Sequence, residues 1–394
     1  TSNFIAGLNA GNSIVSGGNY NVVVGDEAGT ALTTGDFNTA LGFAALDAAV
    51  LVNNNIAVGS ASLSTNVHSS KNVAVGSNSL ETHNLGSAGD GYNTAVGYNS
   101  GLAVTTGIDN TFVGGLTGDA ITTGLRNVAL GRSALSLDTK GSRSVALGFG
   151  ALQTQNFTSA TDTYNTAVGH EAGRSVSTGT NNTFVGGLAG DAITTGTQNT
   201  FVGKHSGNTT TSGSDNICIG RDTKTSASGS ANEIVMGDNV TGNASQSFCF
   251  GKDSTDSAIA FGATSITAPS DERYKEEIAD ATAGLSFIND LRPVTFKWKK
   301  QKDIPTTQKA YVEGSETRVM NDYTNHGFIA QEVKTVIDAH PEIKDGFDMW
   351  KEDEADGRQR LGPSALVPML VKAIQEQTEI INDLRARVAQ LETN

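Results

Sequence analysis

The chain has 394 residues, and its 41 Asp and Glu outnumber 27 Lys and Arg to give a formal charge of −14. That balance argues against a nucleic-acid partner, whose phosphates call for a basic stripe, and against docking on anionic lipid. No apolar run reaches the ~18 residues of a spanning helix, so membrane insertion is not expected, and Cys218 and Cys249 supply neither a disulfide framework nor a metal-ligand spacing. The chain opens on Thr1 with no signal-like segment, which reads as a piece of something longer.

Composition changes abruptly near residue 269. Residues 1–269 hold 40 of the 46 glycines and only 28 charged side chains, whereas residues 270–394 hold 6 glycines and 40 charged side chains. All six prolines, from Pro269 to Pro368, lie at or after that junction. A long proline-free, glycine-rich stretch suits continuous strand pairing.

In that stretch a five-residue phrase recurs: Asn, a β-branched residue, a small or aromatic residue, an aliphatic residue, Gly. It begins at Asn21, Asn38, Asn55, Asn72, Asn93, Asn110, Asn127, Ser144, Asn165, Asn182, Asn199 and Asn216, at a spacing of 17 residues apart from two steps of 21. Four phrases make a 72-residue super-repeat, so that residues 110–124 return at 182–196 with Thr117 replaced by Ala189. A short fixed period marks a solenoid. In each phrase the second and fourth residues share one strand face and the third takes the other, and both faces are apolar. Burial of both would need another layer or another chain. The closing Gly suits a tight corner, and twelve coils at ~4.8 Å would stack to roughly 55 Å.

The phrases NTAVG, NVAVG and SVALG, followed three residues after the Gly by a small side chain, resemble the head repeat of YadA-type trimeric autotransporters and of many phage fibres. Those heads use a shorter coil. The resemblance covers residues 1–250 and implies a left-handed parallel β-roll wound as a trimer.

Other features of this region read as structural. GGLTGDAIT and GGLAGDAIT approach a calcium-binding nonapeptide, but Thr117 and Ala189 stand where it needs glycine, so Asp119 and Asp191 read as turn aspartates. His68, His83, His170 and His205 lack ligand spacing, and neither metal nor cofactor is expected. No carboxylate pair stands out for glycoside hydrolysis, which leaves a glycan depolymerase as a minor alternative.

After a connector at 251–269 the pattern becomes α+β. GLSFINDL reads as a short helix, VTFKWK as an alternating strand, and FIAQEVKTVIDAH as an amphipathic helix with Ile329, Val333, Val336 and Ile337 on one side. From 363 to 394, Val367, Leu370, Ile374, Ile381, Leu384, Val388 and Leu391 alternate 4,3 with only Gln377 intervening, which is a coiled-coil heptad. Its β-branched a positions with Leu at d lean toward two strands, so three chains are inferred from the repeat resemblance alone. The other reading of this tail is an amphipathic helix packed on its own domain.

The blocks SDERYK, GLSFINDLRPVTFKW, GFIAQEV and AIQEQ, in that order, are similar to the intramolecular chaperone family of phage tailspikes and fibres, peptidase S74. That resemblance implies a chaperone domain at 270–362, a trimer, and a single self-cleavage between Pro269 and Ser270, with Ser270 as nucleophile and Lys275 as base. The chemistry is demanding, because a lysine with a pKa near ~10.4 is almost wholly protonated at neutral pH. Burial or a nearby cation such as Arg273 would have to lower it. The competing reading makes Ser270 a helix cap ahead of Asp271 and Glu272. The whole is therefore expected to be mainly β: a trimeric left-handed parallel β-roll of 17-residue coils, a small α+β chaperone domain and a coiled coil. As a virion tail fibre or tailspike it would have a host cell-surface receptor as partner, the alternative being a bacterial surface adhesin.

Overall fold

The computed structural model describes residues 2–343, 347–353 and 357–393. It divides into two compact units, Thr1–Ser270 and Asp271–Asn394.

The first unit is a β-solenoid. Its main sheet has 16 strands, and every neighbouring pair is parallel except the last. Each phrase contributes one three-residue strand, and successive strands pair in the register of the repeat, as Thr183–Val185 does with Thr200–Val202. The 21-residue coils absorb their extra length in side ladders, Ser69–Ser70 with Gly89–Asp90 and Gly141–Ser142 with Thr161–Asp162.

The stack is longer than the twelve phrases. Phe4–Ala6 pairs with Val22–Val24, and Glu233–Asp238 and Ser247–Lys252 continue the sheet at the far end. At the inter-strand spacing of ~4.8 Å the stack reaches about 70 Å. The stretch expected to be a plain connector contains Thr255–Ala260, which folds back antiparallel on Ser247–Lys252. That strand covers a sheet edge otherwise open to further pairing.

Within one chain only one strand face is buried. The third residue of each phrase, from Val23 and Ala40 to Cys218, is fully enclosed, as is the small residue after the corner, from Ala28 to Thr223. The second and fourth residues stay half-buried or exposed, with Val22, Leu41, Ile56, Leu130 and Ile219 among the exposed ones. Burial of both faces is thus not achieved by a single chain, because each coil has one inside and its outer apolar face meets no second layer of its own unit.

The corner glycine has two reasons to be glycine. Gly25 sits at φ +130°, and a Cβ added there would lie 2.5 Å from the carbonyl oxygen of Gly42 in the next coil. Stacking at strand spacing leaves no room for a side chain at that corner.

The second unit contains α1 (Leu285–Asp290), α2 (Ala330–Ala339) and α3 (Val367–Glu392), with two antiparallel strand pairs, Val294–Phe296 with Asn325–Gly327 and Trp350–Glu352 with Gln359–Leu361. The strand read across VTFKWK is shorter than expected, and stops at Phe296. The core gathers Phe287 from α1 and Leu291 just after it, Val333 and Ile337 from α2, and Ile343, Met349 and Leu366.

Candidate functional site

Around the Pro269–Ser270 bond the chain is exposed, with Ser270 the last residue of the first unit and Lys275 five residues further on in the second. The helix-cap alternative for Ser270 does not hold. Asp271 takes that role, its Oδ1 accepting the Arg273 backbone N–H at 2.9 Å and opening a short 3-10 turn over Glu272–Tyr274. The charged carboxylate one residue later satisfies the orphan donor of the turn.

Lys275 closes the same turn, its N–H donating to the Glu272 carbonyl at 3.0 Å. Arg273, the cation expected to act on Lys275, is instead forked onto Asp271, with Nε 3.0 and 3.1 Å from the two carboxylate oxygens. That pairing raises the Arg273 pKa and lowers that of Asp271. In the single chain Lys275 is exposed, as are Tyr274 and Ile278, so its own unit gives it no low-dielectric pocket.

Behind this turn the recurring blocks acquire physical roles. In GLSFI, Gly284 lies where a Cβ would meet the Glu376 carboxylate at 2.5 Å, and Glu376 Oε2 accepts the Leu285 N–H at 2.7 Å. A carboxylate at the N-terminus of α1 is favoured there by the exposed backbone donors. The AIQEQ block therefore serves twice: Ala373 is buried and Glu376 caps α1, while Ile374 stays exposed. Arg292 of LRPV and Glu332 of AQEV form a forked pair, with Nε to Oε2 at 2.9 Å. Half-exposed, it contributes more to alignment than to stability.

His340 is a functional candidate that spacing did not reveal. It is buried, with Nε2 2.9 Å from Asp290 Oδ2 and Nδ1 2.9 Å from Glu342 Oε1. These two carboxylates, Glu342 foremost, raise its pKa.

Among the described residues no group of three or more His, Cys, Asp or Glu side chains could hold a metal ion. Asp119 and Asp191, with Asp47 in the same super-repeat position, each have a buried Oδ1 without a hydrogen-bond partner, and burial raises all three pKa values.

Residues 270–340 match the peptidase S74 family, the chaperone of endosialidase. The match begins at Ser270. No curated protein and no solved structure matches the chain. The chain thus joins a β-solenoid of stacked coils to a peptidase S74 chaperone-of-endosialidase domain at 270–340, a family known for self-cleaving chaperone domains.

Proposed function

We propose that this chain is part of a trimeric fibre of the phage tail-fibre or tailspike kind. Its second unit brings three chains into register and is then released by a single cut before Ser270. The observation that carries this reading is the family match that starts at Ser270, directly after a solenoid whose strands present an apolar face that one chain leaves uncovered. Parallel stacking of many short coils pairs residues far apart in sequence and exposes strand edges while it proceeds, so registration is the step a chaperone assists.

In this reading the Ser270 hydroxyl attacks the Pro269 carbonyl as Lys275 takes its proton. The Pro269–Ser270 C–N bond breaks with that proton passing to the leaving Ser270 nitrogen, and water hydrolyses the resulting ester to free the Pro269 carboxylate. The exposure of both residues in one chain agrees with a catalyst that forms only on assembly, when neighbouring chains bury the lysine and favour its neutral form. Cutting is then a report on correct packing.

Intact-mass spectrometry tests the cut. The unmutated protein should yield fragments ending at Pro269 and beginning at Ser270, and both Ser270→Ala and Lys275→Ala should stay whole. Lys275→Arg should stay whole too, because a guanidinium keeps its proton near neutral pH. Cleavage that persists in Ser270→Ala, or a new N-terminus elsewhere, removes Ser270 from the mechanism.

A further inference from the structure

The solenoid carries a surface cleft that the fibre reading does not use. Its volume is about 280 Å³, and Phe37 with Asp36, Asn53 with Asn54, and Lys71 with Asp90 line it. The Phe37 ring is stacked on Tyr20, with centroids 5.0 Å apart and planes within 8°. Both rings are more than half exposed, at 55% and 58%. Together they form an exposed aromatic stack, of which Phe37 lines the cleft.

The backbone gives no reason for that stack. The residue before each phrase sits in the left-handed region, with φ 59° at both Tyr20 and Phe37. Asn adopts that conformation readily, and the chain uses it at the equivalent Asn54 (φ 57°) and Asn181 (φ 60°). Tyr92 (φ 49°) and Tyr164 (φ 50°) hold exposed rings at the same position, so what marks Tyr20 and Phe37 is that they stack on each other beside the cleft.

The rest of the lining is polar. Lys71 Nζ is 2.7 Å from Asp90 Oδ2 and 3.0 Å from the Tyr92 hydroxyl, which in turn donates to Asp90 Oδ2 at 3.0 Å. A ring face beside held carboxylate, amide and ammonium groups matches a pyranose. Its C–H face packs on the aromatic ring, its hydroxyls donate to carboxylates and it accepts from amides or ammonium. With Asp36 and Asp90 against Lys71, the cleft disfavours an anionic sugar. We propose that this cleft binds an uncharged oligosaccharide of pyranose units.

The chain holds its own comparison 72 residues on. There Arg143, Asp162 and Tyr164 repeat the triad, with Arg143 Nη1 2.9 Å from the Tyr164 hydroxyl. But Asp109 stands in place of Phe37 and Arg126 in place of Asn54, and these two pair at 3.6 Å. That position has no aromatic stack, so binding belongs to the first site.

This deepens the fibre reading by giving its repeat unit a ligand class. Saturation-transfer NMR on the full chain tests it, with an N-acetylglucosamine tetrasaccharide, cellotetraose and a sialylated trisaccharide as probes. At least one neutral probe should give signals that weaken about tenfold or more in Phe37→Asn and persist in Tyr164→Asn, with the sialylated probe silent. Silence from both neutral probes, undiminished signals in Phe37→Asn, or equal signals from the sialylated probe would overturn the proposal. The asparagine is what the same turn carries elsewhere, so the variant keeps the fold. Light scattering on the same samples separates the two claims: a monomer that binds sugar contradicts only the fibre reading, and a trimer that binds none contradicts only the cleft.

Discussion

The buried asparagines hold the solenoid together at the residue scale. Asn110 Nδ2 donates to the Gly124 carbonyl at 3.0 Å, closing its own coil, while its Oδ1 accepts the Asn127 backbone N–H of the next coil at 3.0 Å. The same pair of bonds repeats up the stack, so one side chain satisfies backbone groups in two coils that burial would otherwise leave unpaired. The 21-residue coils modify this ladder. Asn72 Nδ2 donates to Ser69 Oγ at 2.9 Å, Ser69 Oγ lies 2.8 Å from His83 Nε2, and Asn93 Nδ2 approaches the same nitrogen at 3.4 Å. A nitrogen that accepts from these donors must be unprotonated, and burial lowers the His83 pKa from 6.5 to about 4. The unfolded chain therefore binds a proton that the folded chain refuses. Stability should fall by about 1.4 kcal/mol per pH unit as the solution is acidified from ~6.5 toward ~4, and be fully present above that window. In the second long coil Gln155 takes the histidine's place, its Oε1 accepting Asn165 Nδ2 at 2.8 Å. His83→Gln should accordingly flatten the acid limb of a urea-unfolding profile of the solenoid; an unchanged limb would mean that other groups titrate there. The recurrence of Asn was plain in the sequence, but its role was not, because a partner 14 residues ahead and another 17 ahead become neighbours only once the coil length is realised. His83 carried no signal at all beyond being a lone histidine.

At the scale of elements, most coils fill their interior by exchanging volume between two positions. The coils with Ala95 and Gly101 or Ala167 and Gly173 are filled by leucine and phenylalanine side chains of adjacent coils. Where the strand centre is Ala40, Ala57, Ala129 or Ala146, the inner corner carries Leu46, Leu63, Leu135 or Leu152, all fully buried. Where the centre is Phe184 or Phe201, the corner is Gly190 or Gly207, and a Cβ at Gly190 would lie 2.3 Å from the Phe184 ring. Phe184→Ala should cost about 3–5 kcal/mol in chemical denaturation, and adding Gly190→Leu should recover part of it, since Leu46 and Leu135 adopt the same left-handed backbone. Equal losses in the single and double variants would contradict the exchange. This complementarity can be read from the repeat once its two positions are aligned. The terminal coils were harder to see, because Ala6 is too small for the aliphatic place of the phrase and Glu233 and Ser247 replace Asn. In the second unit α1, α2 and their buried faces were legible from apolar spacing, whereas the Leu285–Glu376 cap was not, since it joins residues 91 positions apart. The proposed cut rests on the motif alone, and the cap on Asp271 shows how a neighbouring carboxylate can take the local role expected of a serine.

At the scale of the molecule, two separate apolar surfaces lack a cover in one chain. In the solenoid it is the strand face carrying Val22, Leu41, Ile56 and Leu130. In the second unit it is the α3 seam, where Ile374, Ile381, Leu384 and Val388 are each about half exposed. Ala373 is buried and Met369 packs against the core of the unit, so the amphipathic-helix alternative accounts for one face of α3 and leaves the heptad face over. Under the proposed trimer, a surface that repeats with the coil and a seam that repeats with the heptad would both be covered by further copies of the same chain. The measurement that tests this most directly is the mass of the Ser270→Ala protein in multi-angle light scattering at low micromolar concentration, where cleavage cannot blur the result. The account predicts a single species of three times the 40.7 kDa chain, and a species of one chain mass would contradict it.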